Sequence, residues 1–501
     1  MASTIDNDSI VDGPTVVPVS VQLSSTPTGH IEDASSQQRE TNLPEINGIQ
    51  GYTNRVNRPK VVCSPKIHYS DFIVHVVTWN IASTVPSSAD IESMFLPQEN
   101  MMIHDLYNDT DIIVVGLQEA YQSVQDAMSS NIPLVGRDPL VDTFSDFLSQ
   151  KGFARLTSVR LLGILNMVFI KRPLLCYIRN LETSTFKTGF SGILGNKGAS
   201  SIRFTLGDLN VCLTNCHLIP HPENNARRAG ELRDILEKQV FPYVQPSELL
   251  EHDVVILFGD LNFRLEGQEF HEVVSTLTHN GYSGLIERDQ LIREQKKGNQ
   301  SPCQLYTFME MPLDFQPSYK YAPGTDRYDD GGKGRAPAWT DRVLWRIHDR
   351  RLPQITDSEP RAIIQPQYYG MNIQPRISDH KAVSAGLVLS VDISGFIPLV
   401  IFRLNEWVIG SEAVISFDVI AHTEVSMFDW IGLFPSDFSS IERDYVYYVY
   451  SPARGGEPQD KMYRKVVPTG QVPSNPGRYV LVYKSHQYNC VLGMSPVFRI
   501  V

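Results

Sequence analysis

The run DVVILFGDLNFR, residues 253–264, decides the fold. Five apolar residues, Val254 to Phe258, give way at once to Gly259, Asp260 and Asn262. A short β-rich run bounded by turn residues reads as a strand. Its acid then hangs at the C-terminal edge of the sheet. Five further runs share the β-rich texture: FIVHVVTW (72–79), DIIVVGLQE (111–119), NMVFIK (166–171), ASSIRFTL (199–206) and LNVCLTN (209–215). KAVSAGLVLSV (381–391) reads as the last strand of the set. Between them, ENNARRAGELRDILEKQVF (223–241) sets Ala226, Leu232, Ile235, Leu236 and Val240 near one stripe at helical spacing. Strands with interleaved helices predict a two-sheet α/β sandwich.

Outward from this centre the texture changes twice. Residues 1–65 are rich in Ser, Thr, Pro, Asn and Gln without lasting periodicity, and are expected to form a disordered tail. From about 395 to 501 the chain turns mainly β: VISFDVI (414–420), YVYYVY (445–450) and YVLVYK (479–484) are separated by Pro and Gly, which predicts a separate β-sandwich. The expected domains are therefore 1–65, 66–394 and 395–501.

Composition narrows the function. With 42% hydrophobic and 10% aromatic residues in 501, the chain can bury real cores. A net charge of −12 argues against a general nucleic-acid binder, whose phosphate-backbone ligand demands surplus cations. Six scattered cysteines without metal-type spacing read as reduced thiols in a cytosolic compartment. No apolar stretch approaches the roughly 20 residues of a spanning helix, and the start MASTIDNDSI lacks a secretory core.

Hydrolysis of a phosphate ester needs a hard cation, an activated water and donors for the growing charge. Candidates stand where strands end: Asn80, Glu119, His217, Asp260 with Asn262, Asp341, and Asp379 with His380. Each has a plainer reading. Asn80 fits a turn, Glu119 a helix cap, His217 a hydrogen-bonded core position, and GDLN an Asp/Asn turn. Taken together the plain readings fare worse, because burying several acids without a cation costs kilocalories each.

Trp79-Asn80, Gln118-Glu119, Asn196-Lys197-Gly198-Ala199, Cys216-His217-Leu218, Gly259-Asp260-Leu261-Asn262-Phe263-Arg264, the run RAPAWTDRVL (335–344) and Ser378-Asp379-His380 follow one another in an order that resembles the motif series of the inositol polyphosphate 5-phosphatases. The resemblance covers about 66–394 and implies a four-layered αββα sandwich of the deoxyribonuclease I-like kind. It also implies roles. Glu119 would hold Mg²⁺, with Asn80 and Asp379 close by. Asp260 would orient and deprotonate the attacking water, with Asn262 helping to place it. His380, paired with Asp341, and His217 would stabilise charge on the scissile phosphate, with Lys197 and Arg264 also on the substrate. Leu257 and Ser200 depart from the motif pattern, which touches local packing rather than the reaction.

Deoxyribonuclease-like folds also serve nucleases, so the substrate must be read elsewhere. Tyr319, Lys320, Lys333 and Arg335 match the positions that grip the ring 4-phosphate in the family; two or three cations and a phenol suit a second phosphate. Arg227 and Arg228 are candidates for the 1-phosphate, with a solvated helix face as the alternative. Phe190, Ile193 and Leu194 lie among glycines between Lys187 and Lys197; this loop either dips into a lipid interface or covers the core. The C-terminal Phe428-Asp429-Trp430-Ile431-Gly432-Leu433-Phe434, Asp444-Tyr445 and Pro476-Gly477-Arg478-Tyr479 resemble the SKICH domain, which implies an immunoglobulin-like β-sandwich that directs the enzyme to membranes.

The expectation is a cytoplasmic, peripherally membrane-associated, Mg²⁺-dependent phosphatase acting on phosphatidylinositol 4,5-bisphosphate and 3,4,5-trisphosphate. Phosphoinositide lipids are its expected partners, with no nucleic acid. The SKICH-like module and the tail are candidate sites for protein partners. A nuclease of the same fold and an inactive membrane adaptor are the alternatives.

Overall fold

The computed structural model describes residues 69–95, 105–121, 138–192, 194–279, 281–331, 334–352, 363–394, 398–420, 423–453 and 462–501. The tail expected over 1–65, together with Ile193, Lys333 and the side chain of Phe190, lies outside the described residues.

Among the described residues, eleven strands build the first part: β1 (Tyr69–Asn80), β2 (Ile112–Gln118), β3 (Phe153–Leu161), β4 (Ile164–Lys171), β5 (Ile178–Thr188), β6 (Leu194–Leu206), β7 (Leu209–His217), β8 (Val254–Asp260), β9 (Asp341–Ile347), β10 (Ile364–Asn372) and β11 (Ala382–Asp392). One sheet runs β10-β11-β1-β2-β4-β3 and the other β5-β6-β7-β8-β9. The period-2 alternation of a strand sends Val74, Val76, Ile112 and Val114 of the first sheet against Ile202, Val211, Leu213, Val254 and Ile256 of the second in one apolar cluster. Each fully buried side chain of this size is worth about 1.5–3 kcal/mol. The opposite face of the first sheet (Ile113, Val115, Met167) is covered by Phe144 and Leu148 of the helix Pro139–Ser149. That of the second (Cys212, Val255, Leu257) is covered by Leu232, Ile235 and Leu236 of the helix Asn225–Lys238. The layers are helix, sheet, sheet, helix. Leu257, a departure from the motif pattern, is simply core.

That second helix differs in detail from the predicted stripe. Its buried face carries Arg228, Ala229, Leu232, Ile235 and Leu236, while Ala226 is exposed and Val240 lies past the end, 47% exposed. An arginine has taken a core position.

Two parallel pairings position the chemistry. Asn80 stands opposite Gln118 where β1 and β2 end, and His217 opposite Asp260 where β7 and β8 end. Gly259, at φ +134°, makes the second pairing possible, since a Cβ there would sit 2.0 Å from the Cys216 carbonyl oxygen.

Among the described residues the C-terminal part is built mainly of strands: β12 (Val400–Arg403), β13 (Ala413–Val419), β14 (Trp430–Pro435), β15 (Tyr447–Tyr450), β16 (Met462–Val467), β17 (Gly477–Lys484), β18 (Val491–Met494) and β19 (Phe498–Ile500). They form the sheets β12-β13-β16 and β15-β14-β17-β18, with β19 on β17. Ile415, Phe417, Ile431, Leu433 and Leu481 pack between them. Phe434, Phe438, Val480 and Val482 on the outer face join the sandwich's own apolar cluster beside Leu174, Leu175 and Ile178. Arg172 donates to the carbonyls of Phe438 (2.7 Å) and Asp437 (2.6 Å), and Arg443 pairs with Asp142 (2.5 Å) and Asp146 (3.0 Å). Among the described residues no helix is long and apolar enough to cross a membrane.

Candidate active site

The polar residues that end β1, β2, β7 and β8 meet at one rim of the sandwich. Asn80 Nδ2 donates across the two sheets to Asp260 Oδ2 (3.0 Å) and within its own to Glu119 Oε1 (3.3 Å), while Asn80 Oδ1 accepts from the Ala82 amide (3.0 Å). His217 Nε2 lies 3.3 Å from Asp260 Oδ2 and against the Lys197 ammonium. Asp260 Oδ1 accepts the Asn262 amide (3.1 Å), and Asn262 Nδ2 donates to the Leu218 carbonyl (3.0 Å). Glu119 and Asn262 hold φ of +52° and +57°. Such left-handed backbone costs a non-glycine residue about 1–3 kcal/mol and is concentrated at functional sites.

From the other side come β9 and the turn before β11. Asp341 Oδ2 accepts from His380 Nδ1 (2.9 Å), Ser318 Oγ (2.7 Å) and Thr340 Oγ1 (2.8 Å), while its buried Oδ1 has no hydrogen-bond partner. Trp79 Nε1 donates to the His380 carbonyl (3.1 Å), and Ser378 Oγ bonds both the Asn80 carbonyl (2.6 Å) and the His380 amide (3.1 Å). The ligating atoms of Asp260, Asp341 and His380 fall within 4.8 Å of one another.

Charge follows from this packing. Burial alone would keep His380 neutral, but the Asp341 carboxylate, with Asp260 and Asp379 behind it, outweighs burial and carries the pKa up to about 10. Burial likewise opposes ionisation of Asp260; the His217 hydrogen bond and the charges of His380 and Lys197 hold it well below the usual carboxylate range. His217 is pushed down by burial and then by Lys197, so its imidazole is neutral. Lys197 is itself lowered by burial. The rim thus offers an ionised acid beside a neutral imidazole and a cationic one. Glu119 and Asp260 set hard carboxylate oxygens beside Asn80, a donor set that fits a hard divalent cation and not a soft one.

Beside this cluster the Tyr319 ring lies tilted at 41° to His380, ring centroids 4.4 Å apart, and the Arg264 guanidinium lies 4.4 Å from the Tyr319 ring centroid. Tyr319 OH accepts from Arg335 Nη1 (2.7 Å). A pocket of about 600 Å³ opens between Arg264, Arg335 and His221.

The Endonuclease/Exonuclease/phosphatase family 2 model matches residues 77–386 and the SKICH domain model residues 400–500. Inositol polyphosphate 5-phosphatase K of Mus musculus is 32% identical over 437 residues, covering 85% of this chain and 89% of its own. The chain belongs to the inositol polyphosphate 5-phosphatase family. Phosphatidylinositol 4,5-bisphosphate 5-phosphatase A of Mus musculus is 32% identical over 86% of this chain but is spanned over only 42% of its own length. Among solved structures, the inositol polyphosphate 5-phosphatase domain of SPsynaptojanin, bound to inositol (1,4)-bisphosphate and a calcium ion, matches with a TM-score of 0.52 and 28% identity, covering 65% of this chain and 86% of that one. The fold is that of the 5-phosphatase domain, mixed α/β with two sheets.

In this 5-phosphatase-family chain the rim brings together Asn80, Glu119, Lys197, His217, Asp260, Asn262, Arg264, Tyr319, Arg335, Asp341, Asp379 and His380. Lys320 faces an ion pair with Asp329, an acid the sequence reading passed over. Leu194, at the start of β6, is 38% exposed. Arg227 is exposed and sits 3.7 Å from Glu231 of the same helix face.

Arg228 needs correction. It is 0% exposed and donates to the carbonyls of Ile219 (3.0 Å) and His221 (2.8 Å) and to Gln290 Oε1 (2.6 Å), so it is a buried brace and not a phosphate ligand. Ser318, Thr340 and Ser378, which fix Asp341 and His380, also escaped the sequence reading; Ser378 and Thr340 stand inside the quoted motifs and could have been found there.

Proposed function

We propose that this protein hydrolyses the 5-phosphate of phosphoinositides, chiefly phosphatidylinositol 4,5-bisphosphate and 3,4,5-trisphosphate, by direct attack of water. The observation that carries the reading is Asp260: buried, ionised, and joined at once to Asn80 of one sheet and His217 of the other, with His380–Asp341 facing it. Asp260 orients the water and takes its proton, and Asn262 keeps the Asp260 carboxylate in place. His380, cationic because of Asp341, donates from Nε2 to a non-bridging phosphoryl oxygen. His217 and Lys197 add donors on the same charge. Glu119, with Asn80 and Asp379, would hold Mg²⁺, which when bound supplies Lewis-acid neutralisation of the phosphate. No covalent phosphoenzyme is required.

Tyr319, Lys320, Lys333, Arg264 and Arg335 serve a second ring phosphate, the 4-phosphate. This reading is supported by the phenol–guanidinium pair at 2.7 Å and by the name of the phosphatidylinositol 4,5-bisphosphate 5-phosphatase relative. We read 66–394 as the catalytic domain and 395–501 as an immunoglobulin-like SKICH module that brings the enzyme to membranes from the cytoplasm, with Phe190, Ile193 and Leu194 as candidate lipid contacts.

The test is phosphate release from short-chain phosphatidylinositol 4,5-bisphosphate. Release is expected to need Mg²⁺, to stop on chelation, and to fall by roughly 10³-fold or more in Asp260→Ala. Wild-type turnover in that variant, or nicking of plasmid DNA in place of lipid hydrolysis, would overturn the proposal.

A further inference from the structure

The buried Arg228 belongs to a larger arrangement. Gln290, at the start of the helix Gln290–Lys296, is 3% exposed. Its Oε1 accepts from Arg228 Nη2 (2.6 Å) and from the Arg264 backbone N–H (3.0 Å), and its Nε2 donates to the Pro222 carbonyl (3.0 Å). Arg228 in turn holds the Ile219 and His221 carbonyls. One amide therefore ties together both banks of the pocket, the 219–222 loop on one side and Arg264 on the other.

What this brace fixes is a strained residue. His221 sits at φ +80°, a region unfavourable to any side chain with a Cβ, at a cost of about 1–3 kcal/mol. The surrounding hydrogen bonds over-determine that conformation, and they leave the imidazole exposed where it lines the pocket together with Arg264, Arg335 and Glu269. Two guanidinium heads and an imidazole against one carboxylate suit an anion of more than one charge. A volume near 600 Å³ is within the range of small-ligand sites.

We propose that His221 is a specificity-determining residue that hydrogen-bonds a ring phosphate other than the 4- and 5-phosphates, and that Gln290 and Arg228 are positioning residues that hold it and Arg264 across the pocket. The inference rests on the phosphatase reading above and names a contact on the same substrate.

Steady-state kinetics on inositol 4,5-bisphosphate, 1,4,5-trisphosphate and 3,4,5-trisphosphate test it in the full chain with Mg²⁺. His221→Ala is expected to raise KM for one of the two trisphosphates by roughly 5–20-fold, the worth of a hydrogen bond to a charged group. KM for the bisphosphate and all kcat values should stay within about 2-fold. His221→Asn, which keeps a side-chain donor, should recover part of the loss. Gln290→Met should raise KM for all three substrates, because Arg264 shifts as well; if that variant does not fold, the His221 pair decides alone. Equal losses on the bisphosphate and trisphosphates, or no change on either trisphosphate, overturn the assignment while leaving the phosphatase reading intact. A wild-type protein inert on all three and on lipid would overturn both.

Discussion

Asp341 concentrates three donors on one oxygen, Oδ2, and leaves its buried Oδ1 unpartnered. An acid so placed acts mainly as a fixed negative charge behind His380. A histidine whose pKa is raised keeps its proton below the folded value and loses it above. The function that needs the imidazolium is therefore present through neutral pH and fades only as pH approaches about 10. Asp341→Asn keeps the shape and removes the charge, so burial wins and the alkaline limb of kcat/KM should move to below neutral pH. At pH 7.5 the rate should drop by roughly 10²–10³-fold, the usual scale for losing one transition-state donor. A pH profile identical to wild type would remove His380 from the charge-stabilising role. The second expectation at this scale concerns Lys320: Lys320→Ala should harm 4,5-bisphosphates by about 10-fold more than a substrate lacking the 4-phosphate, and equal losses would exclude it from that subsite. His380, Asp341 and Asp260 were legible because each stands at the end of an apolar run or in a long motif, where an acid or imidazole is out of place. Gln290 and Arg228 were not. An amide and an arginine on an amphipathic helix are ordinary in sequence, and only the folded chain shows that they face each other.

At the scale of elements, the same logic separates the strands that could be read from those that could not. β1, β2, β4, β7 and β8 are central, buried on both faces, and so announce themselves as apolar runs. β3, β5 and β10 lie at or near sheet edges, where solvent admits Arg155, Glu182, Ser184 and Gln365, and the apolar signal dissolves. β9 begins at Asp341, hidden inside a motif read only for its chemistry. How these elements are fastened at the end away from the rim is testable. Asp253, just before β8, accepts from Arg350 (2.9 Å), Arg351 (2.8 Å) and the Asn210 amide (2.8 Å), joining the starts of β7 and β8 to the turn after β9. Burial opposes its ionisation, yet Arg351 and these other donors bring its pKa down from 3.8 to about 2. A depressed carboxylate contributes stability above its unfolded value and loses it as pH falls through the folded one, here between about 4 and about 2. Asp253→Asn should cost about 2 kcal/mol at pH 7 and progressively less below pH 4, read from urea unfolding midpoints. An equal cost at pH 7 and pH 2.5 would show that the Asp253 charge is not what fastens this corner.

For the whole molecule, the decisive feature is where the β module attaches. β4 runs antiparallel to β2 with Ile170 opposite Ile112, so Lys171 and the segment Arg172–Tyr177 lie at the end of the sheet away from Glu119. It is this far end that receives Phe434, Phe438, Val480 and Val482. Phe438 is 2% exposed, 5.1 Å from the Phe434 ring and 5.5 Å below the Arg172 guanidinium. Because these side chains complete the sandwich core, neither part should unfold without exposing the other, and calorimetry of the full chain should show one transition. Phe438→Ala removes about 3–5 kcal/mol from that shared core. It should lower the midpoint and split the transition in two as the parts uncouple, while turnover of a short-chain substrate at 25 °C stays within about 2-fold, since the lesion is at the pole opposite the rim. Two resolved transitions in the wild type would mean that the joint apolar cluster does not couple the parts. A loss of turnover as large as that of Asp260→Ala would instead mean that the far pole communicates with the site.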